Sequence, residues 1–280
     1  MLMGTIAVLS AIFSVLICFG ANGFGTLAWL WILPVSFVGL FLGLAILAFL
    51  ALWGLTAIVD MNKPQDTDSK FYRWLTYLYI DAVFVILQTR FHTTGLENVP
   101  KDGRFLLVCN HLNDLDPLSL LKHFKKSQLA FISKRENDEK FIVGKLMHKI
   151  LCQPINREND REALKTIVKC IQILKEDKAS IAVFPEGGTN KTGDPLLPYR
   201  NGAFKIAQKA NVPIVVCSLV NSRAILHNMF RKHTEVWLDV LDVVPAEELA
   251  GKTTIEVGER VHAVMEAGIV AREKEQGLRA

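Results

Sequence analysis

The first 59 residues contain no Asp, Glu, Lys, Arg or His, so all 32 Lys and Arg and all 28 Asp and Glu lie between Asp60 and the C-terminus. A charge-free segment of that length is suited to lipid, where a helical span takes about 20 apolar residues. Leu2–Phe19 supplies one such span, Ala21–Gly25 reads as a turn, and Leu27–Val59 is longer than a second span requires. Pro34 is expected to open the second bilayer segment, giving about 35–58, with Trp29 and Trp31 near the interface. A cleavable signal peptide wants a basic leader, which is absent, so a retained transmembrane helical hairpin is the expectation. A re-entrant pair within 27–59 is the alternative. Lys63, Lys70 and Arg73 come directly after the apolar segment. A basic flank marks the cytoplasmic side, which places the remainder of the chain there and, with two spans, the N-terminus as well.

Phe71–Arg90 is a third apolar stretch, with Tyr72, Trp74, Tyr77 and Tyr79 crowded into it and Arg73 and Asp81 interrupting it. It reads either as an interfacial helix or as a helix packed on the soluble portion. In both cases it links the anchor to the C-terminal two-thirds of the chain. Three regions result: 1–60 as membrane anchor, 61–95 as aromatic helix and linker, and 96–280 as a folded domain. About 220 residues beyond position 60 are enough for one sizeable core.

Apolar runs near 105–109, 129–133, 180–184, 213–219 and 235–243 predict strands. Helical patterns near 117–125, 140–150, 160–175, 200–210 and 253–270 alternate with them. That rhythm predicts an α/β fold: a mixed, largely parallel sheet flanked by helices. Leu164, Ile167, Val168, Ile171 and Leu174 fall at helical spacing and read as core. The polar tail from Arg272 to Ala280 is expected to fray. Cys18, Cys109, Cys152, Cys170 and Cys217 lack paired metal spacing and read as reduced, buried thiols. The net charge of +4 is modest and no nucleic-acid motif is present, so a nucleic-acid partner is not expected.

Chemistry concentrates in two places. Val108–Pro117 contains Asn110-His111 and, five positions after the histidine, Asp116. A neutral imidazole can take a proton from a hydroxyl near pH 7 when a partner fixes its tautomer and stabilises the imidazolium. On one helix, residues five apart point about 140° from each other, so the pair needs a strand-to-helix turn. Strand 105–109 and a helix starting at Pro117 provide that turn. Asp116 is equally placed to cap that helix. About seventy residues later a second apolar strand enters Phe184-Pro-Glu-Gly187. Ligands in open α/β sheets bind at such strand C-termini, so the two turns are expected to share a cleft.

With these residues in view, the chain resembles the glycerolipid acyltransferase family typified by 1-acylglycerol-3-phosphate acyltransferases. Four blocks occur in the family's order: Asn110-His111-x4-Asp116, Ile155-Asn-Arg157, Phe184-Pro-Glu-Gly187 and Val212-Pro-Ile-Val215, within roughly residues 90–245. The resemblance implies that His111 is the general base, oriented by Asp116, and that a lysolipid hydroxyl attacks an acyl thioester directly. It implies acyl-CoA or acyl carrier protein as co-substrate, with no cofactor and no metal. It also implies that Arg157, Glu186, Gly187 and Asn110 lie on the acceptor side. Arginine suits phosphate because its guanidinium donates bidentately. Glu186 has the wrong charge for phosphate and is expected to accept from a glycerol hydroxyl, to hold Arg157, or to stabilise the turn.

Many members read Phe-Pro-Glu-Gly-Thr-Arg-Ser, whereas this chain has Gly188, Thr189 and Asn190, so a second phosphate-binding arginine is missing. Lys191 is the candidate replacement. Leu151 and Pro154 replace the glycine and phenylalanine usual in the second block. These departures touch the acceptor's identity more than the reaction type. No Gly-x-Ser-x-Gly elbow occurs, so a serine acyl-enzyme has no support. Donors for an oxyanion are expected among the N–H groups of Gly187–Gly188 or of the helix after Pro117. Two rival classes are a metal-dependent hydrolase using His111, Asp114, Asp116 and His123, and a non-catalytic lipid-binding membrane adaptor.

Overall fold

The computed structural model describes residues 1–156, 159–229 and 231–278. Two apolar helices come first. α1 (Leu2–Gly20) has 19 residues and α2 (Trp29–Ala57) has 29, which at 1.5 Å per residue makes them about 28 and 43 Å long. They pack as a hairpin whose turn needs Gly23, since a Cβ there would stand 2.8 Å from Cys18 Sγ. α2 starts before Pro34, contrary to the expected start at 35. Proline's fixed φ is already helical, and the N–H it lacks would have reached only the first-turn carbonyl of Leu30. Leu42, Ile46, Leu47 and Phe49 point outward. The inward hydroxyls of Ser10, Ser14 and Thr56 donate to carbonyls four residues back. An apolar outer surface with its polar groups satisfied internally marks the chain as membrane-associated.

α3 (Lys70–Ile86), capped by Ser69, runs antiparallel to α2. Tyr72 Oη donates to Leu55 O at 2.9 Å and Tyr79 Oη donates to Ala48 O at 2.5 Å. Its other face enters the core through Ile80 and Phe84. α3 is therefore packed between α2 and the core, while Phe71 and Trp74 remain exposed. Arg73 is not a charge facing headgroups: it is 4% exposed. Its guanidinium donates to the Asp68 carboxylate at 2.7–2.8 Å, to Leu129 O at 2.9 Å and to Ile150 O at 3.1 Å.

Next along the chain are β1 (Thr89–Thr94), β2 (Leu106–Cys109), α4 (Asp116–His123), β3 (Leu129–Lys134), α5 (Phe141–Lys149), β4 (Gln153–Ile155) and α6 (Asp160–Lys175). After them come β5 (Ser180–Val183), α7 (Lys205–Ala210), β6 (Ile214–Val220), α8 (Ala224–Asn228), β7 (Thr234–Val244) and α9 (Thr254–Glu275). Among the described residues the strands form one seven-stranded sheet in the order β1-β7-β6-β2-β5-β3-β4. Only the β6–β7 pair is antiparallel, so the sheet is mixed and largely parallel.

The two strands that sequence reading omits lie at the edges. β1 is mostly exposed and polar, and β4 has three residues, one of them Pro154. Edge strands carry weak apolar patterns and tolerate proline. Because β1 pairs with β7, the folded unit begins before position 96. α9 continues past Arg272, whose guanidinium donates to the Asp239 carboxylate at 2.8 and 2.9 Å and pins the last turns to β7.

The alternation of a strand explains the layers. Leu106 and Val108 face a core closed by α6, α7 and α9, where Phe204, Ile206, Val261 and Met265 are buried. Phe105, Leu107 and Cys109 face the opposite core, under α3 and α4. All five cysteines are buried and unpaired. Burial raises Cys152 to about 11, which leaves it an inert thiol at neutral pH.

Candidate active site

β2 sits between β5 and β6, and all three run parallel. Their C-terminal ends therefore open on one side of the sheet, and each contributes a turn. β2 leads into Asn110-His111, β5 into Phe184-Pro185-Glu186-Gly187, and β6 into Asn221-Ser222.

The first turn curls as the five-residue spacing requires. His111 Nδ1 lies 3.0 Å from Asp116 Oδ2, and the same oxygen accepts the N–H groups of Leu112 at 2.5 Å and Asn113 at 2.8 Å. Asp116 Oδ1 accepts from Ser222 Oγ at 2.6 Å. Because Oδ2 already accepts two backbone N–H groups, it carries no proton to give to the imidazole. Nδ1 is then the protonated nitrogen, so Nε2 keeps its lone pair. No described residue bonds Nε2, and 16% of the side chain reaches solvent. Phe184 stacks on the imidazole with centroids 4.2 Å apart and planes 18° apart, fixing the ring from its flat side.

Glu186 does its work on the backbone. Oε1 accepts the His111 N–H at 2.7 Å and Oε2 accepts the Leu197 N–H at 2.9 Å. Of the three roles open to it, turn stabilisation is seen directly, while a bond to Arg157 lies outside the described residues. Burial raises its carboxyl above the ordinary range, opposed by those two N–H groups. Asn190 N–H donates to His111 O at 2.7 Å, so the loop after β5 grips the His111 turn at a second point.

Asn110 is corrected by its surroundings. It is 1% exposed, its Nδ2 donates to Leu219 O at 2.9 Å, and its Oδ1 accepts Leu219 N–H at 2.7 Å. An amide engaged in both directions by β6 splices two strand ends. Gly187 has φ +74°, and its N–H donates to Phe184 O at 3.0 Å, so that N–H is not free for an oxyanion. Lys191 is exposed on the same loop. Arg157 lies outside the described residues.

Three features escape sequence reading. The first is Ser222. The second is Asn113, whose Oδ1 accepts Leu115 N–H at 2.6 Å and whose Nδ2 donates to Ser222 O. The third is Arg200, exposed, with Nε 2.7 Å from where a Gly187 Cβ would stand. Arg200 forms no ion pair with a described residue. The Val212–Val215 block gave the only hint of Ser222, because a strand there must end near position 220. Of the ligands a metal hydrolase would need, His123 is turned away: its Nδ1 lies 2.8 Å from Ser119 O and its ring packs on Phe91. Among the described residues no three His, Cys, Asp or Glu side chains group as metal ligands.

Known proteins resemble this chain in sequence and in fold. The family model described as Acyltransferase matches residues 90–220. A probable 1-acyl-sn-glycerol-3-phosphate acyltransferase of Mycoplasma pneumoniae is 35% identical over 171 residues, covering 59% of this chain and 60% of the relative. A putative 1-acyl-sn-glycerol-3-phosphate acyltransferase of Caenorhabditis elegans is 28% identical over 195 residues, covering 68% of each. The matched stretch thus spans about three-fifths to two-thirds of those relatives' length. The crystal structure of the 1-acyl-sn-glycerophosphate acyltransferase of Thermotoga maritima superposes with a TM-score of 0.62 at 22% identity, covering 75% of this chain and 82% of that one, which establishes a common fold. The residues matched by the family model hold both His111-x4-Asp116 and Phe184-Pro-Glu-Gly187, so over 90–220 the chain is similar to the acyltransferase family.

Proposed function

We propose that the chain transfers a fatty acyl group from acyl-CoA or acyl carrier protein to the free hydroxyl of 1-acylglycerol-3-phosphate, giving phosphatidic acid for phospholipid synthesis. One observation carries the reading: an imidazole with Nδ1 committed to a buried carboxylate and Nε2 bonded by no described residue, at the C-terminal ends of three parallel strands. In the proposed mechanism Nε2 accepts the proton of the lysolipid hydroxyl as its oxygen attacks the thioester carbonyl carbon. The tetrahedral intermediate collapses, the C–S bond breaks, and the departing sulfur takes the proton from His111 Nε2, so that a thiol leaves and the neutral imidazole is restored. Asp116 holds the tautomer and stabilises the imidazolium. Holding two substrates against one base lowers the barrier through orientation.

Arg200, beside Gly187 and forming no ion pair with a described residue, supports an anionic headgroup near the His111 turn in place of the missing loop arginine. Lys191 stands on the same loop, and we assign Arg157 to the same role. The apolar hairpin and exposed Lys63 and Lys70 support a domain held against the cytoplasmic face of a membrane, where both lipid substrate and product reside.

The test is thiol release from long-chain acyl-CoA and from acyl carrier protein, crossed with a panel of lysophospholipids. Release is expected only with an acceptor present, and fastest with 1-acylglycerol-3-phosphate. His111→Ala is expected to lower the rate by about 10²–10⁴ with an unchanged melting temperature. Wild-type turnover in that variant would remove the mechanism.

A further inference from the structure

The β6–α8 turn reaches the Asp116 carboxylate from the side opposite His111. We infer that Ser222 is a positioning residue for the general base, acting through Asp116; this rests on the acyl-transfer reading above. Four observations converge on it. Ser222 is fully buried, and its hydroxyl donates to Asp116 Oδ1 at 2.6 Å. The other carboxylate oxygen, Oδ2, faces His111 Nδ1 at 3.0 Å. The Ser222 carbonyl accepts from Asn113 Nδ2, inside the same turn that holds Asp116. Three residues upstream, Leu219 exchanges two backbone bonds with the Asn110 amide. The end of β6 is thus tied to the His111–Asp116 turn at three points, and only one of them ends on the carboxylate.

The chemistry of that bond differs from ordinary burial. A carboxylate pivots about its Cβ–Cγ bond, and a bond on Oδ1 restrains that pivot from the oxygen that does not face the imidazole. The backbone N–H groups of Leu112 and Asn113 hold Oδ2. Ser222 alone among the described residues holds Oδ1. The hydroxyl also satisfies a buried anion that would otherwise have an unpaired oxygen, and a charge-assisted bond of this type is strong. Ser222 is not itself a nucleophile: its proton is committed to Asp116, and no solvent-accessible face remains from which a thioester carbonyl could approach.

Because Ser222 touches neither substrate, its loss is expected to appear in kcat and not in the KM for either substrate. In the full-length protein, Ser222→Ala is expected to lower kcat about 10- to 100-fold with both KM values within about 2-fold. Ser222→Thr, which keeps the hydroxyl, is expected to restore most of the rate. The decisive measurement is a double-mutant cycle with Asp116→Asn. If Ser222 acts through Asp116, adding Ser222→Ala to Asp116→Asn changes kcat by less than about 2-fold.

Equal losses from Ser222→Ala in both backgrounds would overturn the inference, as would a rise in KM without a fall in kcat. Should Ser222→Ala lower the melting temperature, Ser222→Cys, of similar size and a weaker donor, replaces it in the cycle with the same two outcomes. Wild-type protein anchors the comparison. No acyl transfer by wild type defeats the functional reading, whereas active wild type with an additive cycle defeats only the role of Ser222.

Discussion

At the scale of single residues, the site separates side chains that keep a polar group unspent from those that tie its turns together. His111 keeps Nε2 clear of every described residue and Arg200 is exposed, whereas Asp116, Glu186 and Asn110 spend their polar atoms on neighbouring chain. Variants on either side of that division should behave differently. Arg200→Ala removes an exposed cation next to Gly187, and is expected to raise the KM for a phosphate-bearing lysolipid about 5- to 20-fold, in line with about 1–2 kcal/mol for a partly exposed charge-assisted contact. The KM of the thioester should stay unchanged, and steady-state kinetics with each substrate varied in turn checks this. Glu186 makes a prediction in pH. Burial raises its folded carboxyl above the ordinary 4.5, so its protonated form favours the fold. That contribution is complete below the unfolded value and disappears as pH climbs through the folded one. Glu186→Gln, neutral and of the same shape, lacks this decline. Its melting temperature relative to wild type is expected to improve as pH rises from about 4.5 toward neutrality. A difference that stays flat with pH, measured by thermal melts across buffers, would contradict the assignment.

At the scale of elements, the turns matter more than the strands they leave. His111 and Asp116 meet because β2 stops at Cys109 and α4 begins at Asp116, with Asp116 N–H donating to Asn113 O at 3.2 Å to close the turn between them. α5 shows how a single atom sets an element's position. Gly144 lies inside this helix, yet a Cβ there would stand 2.3 Å from Asp138 O and 2.9 Å from Asn137 O. Helix propensity alone would favour alanine by about 1 kcal/mol. Overlap with two backbone carbonyls cannot be relieved by turning a side chain, so Gly144→Ala is expected to destabilise by a net amount of about 1–2 kcal/mol, read as a lower melting temperature. A stabilised variant would show that α5 can slide away from the 135–138 turn.

At the scale of the whole molecule, α3 joins a lipid-compatible hairpin to a layered α/β fold. Two tyrosine hydroxyls fasten it to α2 carbonyls, and Ile80 and Phe84 fasten it to the core beneath β2. Because the hairpin presents an apolar surface, the full-length protein is expected to stay with membranes through high salt and alkaline carbonate and to leave only with detergent. Release by salt alone would mean that surface charge, and not the hairpin, holds it. Much of this plan was legible in the chain. Period and composition determined the apolar hairpin, the main strands and the helices between them, because burial in lipid or on a sheet face imprints a local pattern. The His111-x4-Asp116 spacing likewise implied a turn, since no single helix could join the pair. Tertiary structure alone decided the rest. β1 and β4 take their conformation from neighbouring strands more than from their own composition. Arg73 turned inward because distant carbonyls at Leu129 and Ile150 receive it. Asn110 and Glu186 became builders of the cleft, and Ser222 came to face Asp116 from 106 positions away, because parallel strands far apart in sequence end side by side, and no local pattern records which ends will meet.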